Sequence, residues 1–167
     1  MKKIFGILLF LFIIGVGSCE KDDICVEGDT PLMTIGFYNL SDTTTLKNVT
    51  SLRVVGEGKS STVNTVTDRA NAQTISIPLK TDANQTSFLL ISNSADDDNG
   101  TETGNIDTIT ISYSRVEDFK SRACGFIVNY ENLNIQLKGD SNNWIQDLRV
   151  AQSNIINSDS THVKIFH

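Results

Sequence analysis

The chain is poor in the side chains that most catalytic and metal sites require. It has two histidines, His162 and His167, three cysteines and one tryptophan. General acid–base catalysis draws on histidine more than on any other residue, and structural zinc needs four Cys, His or carboxylate ligands. Both chemistries therefore start with little support. Gly-x-Ser-x-Gly, His-Glu-x-x-His, the P-loop and the dinucleotide fingerprint are all missing, which removes the commonest hydrolase, zinc-protease and nucleotide-binding readings. There are two prolines, no internal repeat and no coiled-coil heptad. Lysine and arginine are few and scattered, 14 against 20 aspartates and glutamates, for a net charge of −6. That balance argues against nucleic acid and against anionic membrane surfaces as partners.

What is present begins with a segment unlike the rest. Met1-Lys2-Lys3 is a short basic start, and residues 4–14 are almost unbroken hydrocarbon, interrupted only by Gly6. Small or aliphatic residues follow, Gly15-Val16-Gly17-Ser18, and lead to Cys19. A basic start, a short apolar core and small residues before a cut make a secretory signal. The apolar stretch is too short for a spanning helix, which needs about 20 residues. A buried core helix is the competing reading, but the run has no polar face. Val16-Gly17-Ser18-Cys19 resembles the bacterial lipobox, in which the cysteine thiol takes a diacylglycerol before cleavage and the new amine is then acylated. Several acyl chains anchor stably where one chain binds only marginally. Glu20-Lys21-Asp22-Asp23 is similar to the signal that follows the lipid cysteine in Bacteroidota lipoproteins sent to the outer leaflet of the outer membrane. The expected organisation is a signal over residues 1–18, an acylated cysteine and acidic tether over 19–30, and one domain over 31–167. Loss of Lys2 and Lys3 would leave 12 basic against 20 acidic residues, a net −8.

Beside Cys19 two cysteines remain, Cys25 and Cys124. In an exported protein an even pair favours a disulfide, with two separately buried thiols as the alternative. Closing a loop of about 100 residues is worth on the order of 4–5 kcal/mol in the chain-entropy model.

The remainder reads as strands. Met33, Ile35 and Phe37 alternate with Thr34, Gly36 and Tyr38; Thr50, Leu52 and Val54 alternate with Ser51 and Arg53. Residues 56–73 are Gly-, Ser- and Thr-rich, a long loop or weak edge strand. Ile75, Ile77 and Leu79 alternate beside Pro78, which cannot donate to a ladder and so points to an edge. Phe88-Leu89-Leu90-Ile91 is apolar on both faces, as in a strand covered on both sides. Residues 94–105, rich in Asp, Asn and Gly, make a hairpin tip before Ile109, Ile111 and Tyr113. Phe126, Val128 and Tyr130, then Leu133, Ile135 and Leu137, then Leu148 and Val150, and finally Val163 and Ile165 continue the pattern. A short helix is a candidate over residues 116–121. Trp144, Leu148, Ala151 and Ile155 fit helical spacing as well as strand, and strand is preferred. Seven to nine strands with frequent turns and no long helix predict an all-β, antiparallel β-sandwich of the Ig-like or Greek-key type.

Four constellations invite a chemical reading. Asp96-Asp97-Asp98-Asn99-Gly100 is acidic, but an EF-hand register puts Ala95 and Ile106 where carboxylates are required, so only a looser calcium loop stays open beside a solvated hairpin tip. Gly139-Asp140-Ser141 and Asp159-Ser160-Thr161-His162 look like the serine and histidine blocks of a lipase-like hydrolase family. Both fall late in a β-rich chain, and a nucleophile needs its base within hydrogen-bond reach. Trp144, with Tyr113 or Tyr130, could form an exposed aromatic patch that stacks on a sugar; core packing is the competing role. Asp42-Thr43-Thr44, Asp107-Thr108-Ile109 and Asp159-Ser160-Thr161 are similar to O-glycosylation triplets of Bacteroidota exported proteins.

With the lipobox, Cys25, the strand from Ile75 to Leu79, Ser121-Arg122-Ala123-Cys124-Gly125-Phe126 and the closing Ile165-Phe166 in view, the chain resembles a family of Bacteroidota lipoproteins described as a domain of unknown function. Cys25, Cys124 and Gly125 are the matching positions. The resemblance implies a location and a cysteine pair, and no activity. The expected function is a non-catalytic, lipid-anchored outer-membrane or cell-surface lipoprotein without cofactor or metal, its partner being the membrane. The rivals are a glycan- or protein-binding component of an outer-membrane complex and a small hydrolase built on Ser141 and His162.

Overall fold

The computed structural model describes Cys25 and residues 28–167; the signal segment and Cys19 lie outside the described residues. Nine strands follow in order: β1 (Met33–Tyr38), β2 (Val49–Gly56), β3 (Ala70–Ala72), β4 (Thr74–Ile77), β5 (Gln85–Ser92), β6 (Asn105–Ser121), β7 (Gly125–Leu137), β8 (Asp147–Val150) and β9 (Val163–Phe166). They form two sheets, β4-β1-β9-β8 and β3-β2-β5-β6-β7. The pairing of β1 with β9 is parallel and the other strand pairs are antiparallel. This is the expected all-β sandwich.

Alternation builds the core. In β6, Asp107, Ile109, Ile111 and Tyr113 point inward while Thr108, Thr110 and Ser112 point outward. Leu52 and Val54 of β2, Phe88 and Leu90 of β5, and Tyr130 and Leu133 of β7 join them from the same sheet. Ile35, Phe37, Ile75, Ile77, Val163 and Ile165 face them from the other sheet. A side-chain period of two turns one face of every strand to the same layer, and the apolar area removed from water there is the main stabilising term. β1 is buried along Met33–Phe37 on both faces. Its outer face is covered by the loop before β9: Thr34 Oγ1 donates to the Ser158 carbonyl at 2.8 Å and shares a hydrogen bond with Ser76 Oγ at 3.0 Å.

β4 is an edge, as Pro78 implied, with the proline just beyond its last residue. The weak strand in the Gly- and Thr-rich stretch is β3, also at an edge. One helical reading is corrected: residues 116–121 are the end of β6. In the Trp144–Ile155 region the preferred strand is present at Asp147–Val150, and the rest is coil pinned by the buried Ile145 and Ile155.

β6 and β7 are the longest strands, and they run on past the sandwich. Opposite Tyr113, β7 carries one extra residue: Ser112 pairs with Asn134 but Ser114 pairs with Glu131. Asn132 takes a left-handed φ of 55° there. Such a bulge kinks and twists a ribbon. Beyond it β6 is mostly exposed from Ser114 to Phe119.

Candidate functional site

The far end of this ribbon is where the sequence and the fold converge. Residues 121–124 turn the chain, Cys124 N–H donates to Ser121 Oγ at 3.1 Å, and Gly125 holds a φ of 68° that a side chain would strain. Cys25 and Cys124 are disulfide-bonded, with Cα atoms 4.8 Å apart and a separation of 99 positions in sequence. A two-stranded ribbon is only marginally stable alone. The disulfide gives its tip a second attachment. Val128 N–H donates to Thr30 Oγ1 at 3.0 Å, so the segment before β1 also lies along β7.

Phe119 and Phe126 face each other across the strands next to this turn, their ring centroids 5.2 Å apart and edge-to-face. They are 55% and 66% exposed. The other phenylalanines among the described residues, Phe37, Phe88 and Phe166, are buried. Ile156, 66% exposed, lies at the same end, where it lines an open cleft of about 720 Å³ with Leu32, Lys120 and Ile127. The three most exposed large apolar side chains among the described residues thus gather at the disulfide end. Lys120 is ion-paired with Asp118 at 2.7 Å, and Arg122 is exposed on the turn.

The expected aromatic patch is not assembled. Tyr113 and Tyr130 are 5% and 0% exposed and pack edge-to-face at 5.0 Å inside the core. Their hydroxyls serve the interior: Tyr130 donates to the Leu79 carbonyl at 3.1 Å, and Tyr113 to the Lys80 carbonyl at 3.0 Å while sharing a hydrogen bond with Thr86 Oγ1. Burial pushes the Tyr130 hydroxyl up to about 12. These rings cannot stack on a sugar from solution; each is large enough to fill core and polar enough to need a buried acceptor. Trp144 is half-buried, donates to the Leu90 carbonyl at 3.2 Å and packs against Phe37 and His167. The cleft it lines, with Lys47, Asn93 and His167, holds about 230 Å³, below the range usual for small-molecule sites.

Ser141 and His162 are not brought together as nucleophile and base. Ser141 sits in the exposed turn after β7. His162 is 1% exposed; its Nδ1 accepts the Thr34 N–H at 3.0 Å and the ring also bonds the Asn157 backbone. Burial lowers its basicity. The Nδ1 bond holds the loop to β1. In the acidic loop, Asp97 Oδ1 accepts the N–H groups of Asn99 and Thr101, and Asp96 pairs with Arg69. No group of three or more metal-ligating side chains converges among the described residues. Of the three glycosylation triplets, one has its aspartate inside: Asp107 is buried, accepting the Ile145 N–H at 2.8 Å and the Asn143 amide at 3.0 Å.

Reading the sequence missed Glu102. It accepts from Ser94 Oγ at 2.7 Å, Ala95 N–H, Gly104 N–H at 2.9 Å and Arg53 at 3.2 Å, with Arg69 at 3.6 Å. Burial alone would raise its pKa, but these donors outweigh it and hold the carboxyl at about 2. Its partners are spread from residue 53 to 104, and no local pattern joins them. The Phe119–Phe126 pair was missed because residues 114–121 lack apolar alternation.

The fold and the site define an all-β sandwich with a disulfide-tied β-ribbon. The chain belongs to a family of unknown function (DUF6452), whose sequence model matches residues 51–167. No curated protein and no solved structure matches it.

Proposed function

We propose that this is a non-catalytic, lipid-anchored lipoprotein of the outer membrane or cell surface, of the kind found in Bacteroidota, attached through an acylated Cys19. The observation that carries the reading is the Cys25–Cys124 disulfide. Such bonds persist in oxidising compartments, which supports export. The bond also lies six residues beyond the lipobox cysteine, so the anchor and the folded domain are coupled through a short leash. The domain's role is structural or accessory, and its disulfide-tied end is the one nearest its attachment.

The test is metabolic labelling with palmitate in a host that processes lipoproteins. Label should enter the wild-type chain and be lost in Cys19→Ser, and the mature mass should match acylated Cys19 onward. An unlabelled product that still begins at Met1 would refute the proposal.

A further inference from the structure

We infer that the Phe119–Phe126 end of the β6–β7 ribbon is a second membrane contact, seated in the interface of the same bilayer that holds the acyl chains. The inference rests on the anchoring of Cys19 proposed above and goes beyond it. Reach comes first. Cys25 lies six positions after Cys19, and six residues span at most about 20 Å however they run. Cys25 is bonded to Cys124, and Phe126 is two residues further on. The acylated residue and the exposed phenylalanines are therefore confined to one end of the molecule.

Composition comes second. An exposed phenylalanine pair is unfavourable in water, and the rest of the described surface has no other. Val116 is also exposed on the ribbon's other face, and Ile156 lies on that face beside Lys120 and Ile127. The charges nearby do not make it an electrostatic site. Arg122 is exposed, Lys120 is paired with Asp118, and Glu117 stands on the ribbon behind the phenylalanines. The contact is apolar, which suits a chain of net acidic charge. Two attachments, acyl chains and an aromatic tip, would fix the tilt of the sandwich on the membrane where a lipid leash alone leaves it free.

The molecule contains its own control. Trp144 bonds Leu90, which pairs with Asp107, and Asp107 is twelve residues up β6 from Phe119, about 40 Å of strand. The experiment uses the full acylated chain, wild type and Phe126→Trp, reconstituted into phosphatidylcholine vesicles with and without lipid brominated at the upper acyl positions. Mass spectrometry of the purified chain first reports acylation, and near-ultraviolet circular dichroism reports the fold. The added tryptophan should emit at shorter wavelength than Trp144 of wild type and lose about half its intensity on brominated lipid, as for a ring roughly 5–10 Å into the headgroup boundary. Trp144 in the wild type should be unaffected. An acylated, folded, vesicle-bound Phe126→Trp chain with solvent-like, unquenched emission overturns the tip contact and leaves the anchor intact. Blue-shifted emission that bromine does not quench, and that depends on protein density, means a second copy covers the pair and also overturns it. A chain without acyl groups overturns both readings.

Discussion

Replacing Glu102 by glutamine should cost stability in a way that depends on pH with a fixed sign. The folded carboxyl titrates at about 2, against an ordinary value of 4.5. At about 1.4 kcal/mol per unit, the whole shift would set a ceiling of about 3.5 kcal/mol. The side chain is 17% exposed and its arginine partners are partly solvated, so screening brings the expected figure to about 1–2 kcal/mol. The group's pKa is depressed on folding, so its contribution is complete above about pH 4.5 and fades as pH falls toward 2, where the unfolded carboxyl has already taken its proton. Glutamine cannot titrate and presents an amide to Arg53. Urea unfolding followed by Trp144 fluorescence, on wild type and Glu102→Gln at several pH values, measures the gap by linear extrapolation. The gap should be about 1–2 kcal/mol at neutral pH and close as pH drops through that window. A gap that is absent at pH 7, or the same at pH 7 and pH 2.5, would show that the carboxylate does not hold the loop as described.

Removing the disulfide with Cys25→Ser and Cys124→Ser should lower unfolding stability by about 4–5 kcal/mol, read by denaturant titration, and reductant should then have no further effect. Tyr130→Phe keeps the ring and leaves the buried Leu79 carbonyl without its donor; a loss of about 1–3 kcal/mol is expected in the same assay. His162 should titrate below pH 6.5 in an NMR titration, because burial opposes its charging; stability should begin to fall as pH drops below that value, and a normal titration midpoint would contradict its described environment.

The core was legible because its strands are half-exposed. Ile109, Ile111 and Tyr113 alternate with Thr and Ser, and that pattern has one reading. Tyr113 and Tyr130 were legible as strand residues but not as buried ones, since the acceptors that satisfy them, at Lys80 and Leu79, lie on another strand's exit. The ribbon beyond Ser114 was unreadable as strand. With solvent on both sides, residues 114–121 carry charges where a sheet face would carry aliphatics, and their short-range spacing mimics a helix. The parallel mating of β1 and β9 left no local trace, because register between strands so far apart is set by packing. At the candidate site, the cysteine pair could be counted from the sequence, whereas the phenylalanine pair is a product of hairpin register alone.

That parallel mating has a consequence for how the molecule comes into being. β1 can receive β4 as soon as residues 74–77 are present, but its other edge stays open until residues 163–166 join it, and Thr34 and His162, which seal the seam, are 128 positions apart. Long-range closure of this kind is slow. A chain halted just short of Val163 would leave a bare, apolar strand flank and a detached β8, a state open to proteases and to neighbouring chains. β9, lying between β1 and β8, thus acts as a completeness check on the whole sandwich.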